Sequence, residues 1–442
     1  MSKFIFVTGS YDPHPRANAV CARAIEDDLK NRGHEVIYVV TRHDVTQQTQ
    51  ERINGNRVFF IPRPIHELHW SIARVKDAFV QSAIEKQILI AAHFLLKVLF
   101  KVTAFLSGKN SRMRTQDIYR KNFLSVMSNL LLEERPDGVL TFSVPFSSHL
   151  LTLESFKKSG QRPYWASVLF DPHKYSDSRT EEQYSLFGKE ETSVFKEVDR
   201  AFLLNVLASD YDKPEYDAYR ERFSYFRLPF FKIPIDVPIN RSHGITKKAN
   251  WIDLTFAGTL YDTARSADYL CRFMQSCQGK NIRFHLLGKF YPNTLQKLLE
   301  TVEKMPEQVF VYEFMDRESA LAHLASSDVL MNIGNDNVNQ VPSKILEYMG
   351  MLKPILSFIR DSDDAGLEYL TKYPYSLVID ERSSAPIKEV VDNAVRFFRD
   401  CKEHVFSVEE IRRRFKGYLQ EDVTGEIIDT IEKDISEFTT RH

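Results

Sequence analysis

KFIFVTGSYDPHPRANAVCARAIEDDLKNRGHEVIYVV, residues 3–40, reads as strand, loop, helix and strand. Phe4 to Val7 is a short apolar run ending in Thr8-Gly9, as a parallel strand buried on both faces should. The loop Ser10 to Asn18 follows, and the spacing predicts a helix from about Ala19 to Arg32. Gly33 stands where a left-handed residue closes a helix, and Glu35 to Val40 forms the next strand. Strand, helix and strand in this order make a βαβ unit, the start of a doubly wound sheet. The loop carries no G-x-G-x-x-G, which argues against a dinucleotide dehydrogenase.

The alternation continues outward. Val58–Ile61, Gly138–Phe142, Tyr164–Phe170 and Ala201–Leu204 are strand-like. A second series opens at Ile252–Gly258 and runs through Arg283–Gly288, Val309–Tyr312, Val329–Ile333, Pro354–Phe358 and Ser376–Ile379. Between the two lies Phe230–Asn250, with Pro234 and Pro238, and the linker is expected there. The pattern predicts an α/β chain of two Rossmann-like, doubly wound parallel-sheet domains, 1–235 and 236–405. A helical tail, 406–442, starts with Ser407 and Glu410 in capping-box spacing.

The bulk composition limits the functions available. With 442 residues the chain exceeds one ordinary core. A net charge of −1 gives no electrostatic footprint for nucleic acid. Cys21, Cys271, Cys277 and Cys401 show no C-x-x-C spacing, which fits a reduced, cytoplasmic chain without structural zinc. Met1-Ser2-Lys3 leads straight into a strand without a signal-peptide pattern, and no apolar run of spanning length is uninterrupted.

Residues 66–130 break the alternation and read as helical, most apolar over Ile88–Leu106. His93, Lys97 and Lys101 recur every four residues and draw a polar stripe along one helix. Lys109, Arg112 and Arg114 follow, and residues 51–150 hold 14 Lys and Arg against 8 Asp and Glu. Two readings fit: a buried helix, or one lying in an anionic membrane surface with its lysines at the headgroups.

Ligands of open α/β sheets bind beyond the carboxyl ends of the strands, so the loops there are the candidate sites. In Val341-Pro342-Ser343-Lys344-Ile345-Leu346-Glu347-Tyr348, proline opens a helix whose first amides, at Ser343 and Lys344, can take a diphosphate. Glu347 lies one turn further on the same face, placed to accept both hydroxyls of a ribose. Ala257-Gly258-Thr259, with Arg265 beyond, offers close backbone approach and a guanidinium clamp. The third loop is Ser10–Asn18, with Tyr11, His14, Arg16 and Asn18 as candidate binding residues.

These residues resemble the retaining GT-B glycosyltransferases, in particular the bacterial group that builds surface polysaccharides and glycolipids. The resemblance rests on L-K-N-R-G-H-E-V at Leu29–Val36 and on P-S-K-x-x-E-Y-x-x-x-x-K-P-I at Pro342–Ile355. It implies the GT-B fold, with a C-terminal helix returning to the first domain. It also implies transfer from a nucleotide-diphosphate sugar to a glycan or lipid-linked acceptor, with no metal or other cofactor. Glu347 corresponds to the ribose carboxylate and Gly258 to the glycine at the donor phosphates. A histidine near the anomeric carbon is expected in the first domain; His173, beside Asp171 in Phe170-Asp171-Pro172-His173, is the candidate and His14 its rival.

The sequence departs from the family at four places. Asn339 stands where a second glutamate is frequent, Thr259 where an arginine is, and Ala17-Asn18 where Gly-Gly is; Arg265 takes the place of a lysine. These departures keep two alternatives in view, a catalytically silent GT-B subunit supporting a partner transferase and a GT-B sugar-nucleotide epimerase.

Overall fold

The computed structural model describes residues 1–11, 17–43, 47–63, 91, 94–95, 98, 111–143, 145–174, 180–229, 244–262, 265–312, 315, 317–334, 341–402 and 407–441. His14, Arg16, Asn339, Lys97, Lys101 and Lys109 lie outside them, as does nearly all of 64–110. The chain divides into two compact units, Met1–Arg227 with Thr424–His442, and Leu228–Val423.

In the first unit the strands are β1 (Lys3–Thr8), β2 (Glu35–Thr41), β3 (Gln50–Ile53), β4 (Asn56–Ile61), β5 (Gly138–Phe142), β6 (Tyr164–Leu169), β7 (Arg200–Leu204) and β8 (Phe223–Phe226). They lie in the order β3-β4-β2-β1-β5-β6-β7-β8. Only β3 and β4 pair antiparallel. Asn54 and Gly55 turn that hairpin with φ of 52° and 81°, the left-handed pair a two-residue turn demands. The edge strands β3 and β8 had no signature in the apolar pattern. β1 is followed by helix α1 (Ala17–Asn31), and β4 by the long helix α2 (Ser111–Glu134).

The second unit holds β9 (Ile252–Leu260), β10 (Ile282–Phe290), β11 (Val309–Tyr312), β12 (Val329–Ile333), β13 (Ile355–Ile359) and β14 (Ser376–Asp380). Their order, β11-β10-β9-β12-β13-β14, reverses direction between β9 and β12, which is where a doubly wound sheet opens a crevice. All its pairs are parallel. Phe256, Phe273, Phe284 and Phe358 fill the core beneath.

The last helix, Gln420–Arg441, crosses the amino ends of the first unit's strands. Asp429 and Glu432 take the Arg32 guanidinium at 2.6 and 2.9 Å, just ahead of β2. Asp434 takes Arg200 at the start of β7 and the Tyr164 hydroxyl at the start of β6. The residues before Thr424 stay with the second unit, through Tyr375 to Glu410 and Tyr418 to Glu368.

Candidate functional site

Two cavities open at the carboxyl ends of β9, β10 and β12 and share Ala257, Thr259 and Lys344 as walls. The larger, about 600 Å³, is lined by Gly258, Leu287, Gly288, Lys289 and Phe290, with Leu295 and Ala320 from the neighbouring helices. The smaller, about 270 Å³, lies at the switch between β9 and β12, where Tyr261, Arg265, Asn332, Pro342 and Tyr348 line it.

Glycine on both strands makes the larger cavity's floor. Gly258 and Gly288 stand side by side in the β9–β10 register. Gly288 has φ +137°, and a Cβ there would meet the Gly258 carbonyl oxygen at 1.9 Å. Only glycine fits, and backbone is left bare at the strand ends, where a ligand can approach closely.

Helix α8, Ser343–Gly350 (α1 to α7 being Ala17–Asn31, Ser111–Glu134, Ser147–Ser159, Glu181–Phe195, Asp268–Ser276, Pro292–Lys304 and Arg317–Ser326), points its start at this floor. Pro342 is the N-cap at φ −66° and ψ 102°, and no side chain caps the end. Its positive dipole end therefore faces the shared wall where Lys344 stands. Tyr348 anchors the helix, its buried hydroxyl taking the Ala257 amide at 3.3 Å. Glu347 accepts a hydrogen bond from the Lys344 ammonium. The structure thus brings Gly258, Thr259, Arg265, Ser343 and Lys344 together, with Glu347 one turn behind; the Ser343 side chain is outside the described residues.

The electrostatics suit an anion. Burial lowers the pKa of the Arg265 guanidinium, while Tyr261, Tyr348 and Asp364 act to keep it charged. Asp364 is itself raised above the usual carboxylate range by burial, with the Gly366 amide and Arg265 opposing. Lys289 is exposed at the rim, its ammonium 5.3 Å from the Tyr291 ring centroid, and Tyr291 in turn packs against Tyr261.

The first unit's strand ends look different. His173 stacks on Phe146 at 4.0 Å between ring centroids and leans on Phe187 at 4.4 Å. Its Nε2 lies 2.6 Å from Glu190 Oε2. Burial raises the Asp171 carboxyl above its usual value. Nearby, His149 is fully buried, its Nδ1 2.6 Å from the Thr141 hydroxyl. Burial, helped by His173, pushes its pKa down to about 3.

Tyr11 corrects an expectation. The family resemblance puts it in an acceptor-side loop, but it is buried against Tyr38, and Asn56 Nδ2 donates to its hydroxyl at 3.0 Å. Asn56 and Tyr38 both bond to the buried Glu26, so Tyr11 belongs to an internal polar network. Asn18 is described in backbone only, at the start of α1.

Sequence reasoning missed Gly288, Lys289 and Asn332. Gly288 closes the strand-like run that starts at Arg283, but what demands glycine there is its register with Gly258, which no local signal discloses. Asn332 sits inside an apolar strand and donates to Ser357 Oγ at 2.9 Å; a polar residue in such a run was the clue.

No protein-family model matches the sequence, and no curated protein does. Solved structures do match over the whole chain. Sucrose-phosphate synthase from Thermosynechococcus elongatus aligns with TM-score 0.65 and 11% identity over 99% of this chain and 100% of that one. The catalytic domain of starch synthase IV from Arabidopsis thaliana, bound to ADP and acarbose, gives 0.61 and 10% over 99% of each chain. Anabaena HepE in complex with UDP and glucose gives 0.57 and 9% over 98% and 100%. With two Rossmann-like units and this topology, the chain has the GT-B fold.

Proposed function

We propose that the chain is a metal-independent, retaining glycosyltransferase that moves a sugar from a nucleotide-diphosphate sugar to a glycan or lipid-linked acceptor in surface-polysaccharide synthesis. The observation that carries this reading is the pair of joined cavities, floored by Gly258 and Gly288 and facing a helix start with Lys344. A diphosphate is the ligand whose charge and size fit bare strand-end backbone, a helix N-terminus, and cations at Lys344, Arg265 and Lys289. The apolar cavity beside Leu295 and Ala320 suits a base, and the polar one with Arg265 and Asn332 suits a sugar. HepE, whose solved complexes hold UDP, glucose and UDP-glucose, has the same fold.

In this reading, charge developing on the leaving diphosphate is met by fixed dipoles and cations, which need no reorganisation as the bond breaks. Glu347 holds the ribose, and His173 and Asp171 are assigned to the reacting sugar by the family resemblance. A thermal-shift screen of nucleoside diphosphates and nucleotide sugars tests the donor site, because ligand that binds only the folded state raises Tm. No shift with any of them would overturn the proposal. Binding without turnover would favour the silent-subunit reading instead.

The acceptor side of the proposal includes an anionic membrane surface. No helix among the described residues is long and apolar enough to cross a membrane. Ala91, Phe94, Leu95 and Val98 are helical, exposed, and spaced to share one face. Lys97, Lys101 and the basic run to Arg114 are close by in sequence, the composition of a helix that lies flat at an interface.

A further inference from the structure

Helix α4 (Glu181–Phe195) carries two consecutive glutamates that seize the same short loop. Glu191 is fully buried, and its Oε1 accepts from the His173 amide, the Lys174 amide and the Tyr211 hydroxyl, each at 2.9 Å. Its Oε2 accepts from the Tyr216 hydroxyl at 2.6 Å. Four donors on one buried carboxylate fix the backbone of that loop; losing such a partner leaves a buried charge uncompensated. Glu190 takes the ring of His173 itself, while Phe146 and Phe187 hold the ring's plane. A capping box between Thr180 and Gln183 secures the start of the helix that delivers both.

A carboxylate only accepts hydrogen bonds, so the His173 nitrogen beside Glu190 carries the hydrogen. In the neutral ring the other nitrogen, Nδ1, then holds the lone pair. We propose that Glu190 is a positioning residue that fixes His173 in the Nε2–H tautomer, so that Nδ1 is the atom offered to the reacting sugar. This rests on the reading of His173 as the histidine at the reacting sugar. Among the described residues, the other charged or titratable groups nearby are Asp171 and Lys174 on its own loop, Glu191 on α4 and His149 on α3. Among the described residues it is Glu190 that bonds His173 Nε2, and so Glu190 sets the tautomer.

The test separates the clamp from the chemistry. The full chain, labelled with 15N-histidine, is examined by long-range proton–nitrogen spectra, with His173 identified by the signals lost in His173→Asn. The expected wild-type pattern is a protonated Nε2 and a pyridine-like Nδ1, kept in Glu190→Gln and turned into a tautomer mixture in Glu190→Ala. An Nδ1–H signal in the wild type, or an unchanged pattern in Glu190→Ala, overturns the proposal whatever the enzyme's activity. Donor turnover is then compared in His173→Asn, whose amide lies near the Nδ1 position, and His173→Gln, whose amide lies near Nε2. At least tenfold more turnover in His173→Asn supports Nδ1 as the working atom. Turnover equal to wild type in both variants overturns its presentation to the sugar while leaving the tautomer result standing.

Discussion

The carboxyl ends of the two sheets solve opposite problems. In the first unit polar side chains near the strand ends are tied to neighbours, His173 to Glu190 and Thr141 to His149, while Tyr11, in the loop after β1, is tied to Asn56. In the second unit the strand ends are stripped to glycine at 258 and 288, and cations face open space. On the reading proposed above, one end holds its own groups still and the other receives a charged group from outside.

The most damaging way to break this contrast is to put a side chain on the bare floor. Gly288→Ala places a Cβ at 1.9 Å from the Gly258 carbonyl oxygen, at a φ of +137°. Left-handed strain of roughly 1–2 kcal/mol and overpacking of roughly 1–3 kcal/mol give an expected loss of about 2–5 kcal/mol in urea unfolding. Nucleotide-induced thermal shifts should vanish in the same variant. A Gly288→Ala protein as stable as wild type would mean that β9 and β10 separate easily at this point.

Glu347→Ala should weaken nucleotide binding by roughly 1–3 kcal/mol, the range for hydrogen bonds to a charged group. Folding should survive, because Glu347 is not part of the apolar core, and its ion pair with Lys344 lies within one turn of the same helix. Isothermal titration with UDP, ADP and GDP measures this, and unchanged affinity for all three would remove Glu347 from the ribose.

These two residues also show what the sequence can and cannot disclose. Glu347, Lys344 and Pro342 were legible because a helix start is local: the proline, the free amides and the one-turn spacing all fall within six residues. Gly288 was not, because its need for glycine comes from register with Gly258, thirty residues earlier on another strand. Tyr11 misled for the same reason. Its loop position suggested exposure, while Asn56 and Glu26, distant in sequence, draw it inside. The βαβ series was readable throughout from apolar runs, whereas β3 and β8, short edge strands with little burial, left no such trace.

The first unit's self-sufficiency predicts a pH signature. His149 has a folded pKa of about 3, against roughly 6.5 in an unfolded chain. The unfolded state therefore takes up a proton that the folded state refuses, and the stability present above pH 6.5 falls as pH drops toward 3. Between pH 7.5 and 5.5 the expected loss from this group is about 1.4 kcal/mol. Urea midpoints of wild type and His149→Phe at both pH values give the number by difference. The same slope in both proteins would show that the histidine reaches water, and the first unit's strand ends would be less closed than their hydrogen bonds indicate.

The smallest effect per residue concerns how the first unit meets an acceptor if its strand ends are occupied by its own side chains. A lipid-linked acceptor would be reached through the surface around Phe94, Leu95 and Val98, which are exposed. Each basic residue near an anionic bilayer contributes about 1 kcal/mol, so on the proposed reading Lys97, Lys101, Lys109, Arg112 and Arg114 together would supply salt-sensitive binding. Crossing the bilayer instead would place Lys97 and Lys101 in hydrocarbon at roughly 2.5–3.5 kcal/mol each, which lying flat avoids. Co-sedimentation with vesicles of phosphatidylglycerol and phosphatidylcholine at low salt should capture the wild type. Capture should weaken stepwise as the five residues are changed to glutamine, and also when Phe94 and Leu95 are changed to serine. If the charge changes matter and the apolar ones do not, the surface is only an electrostatic patch. If wild type stays in solution at low salt, the membrane reading fails and the apolar stretch is ordinary core.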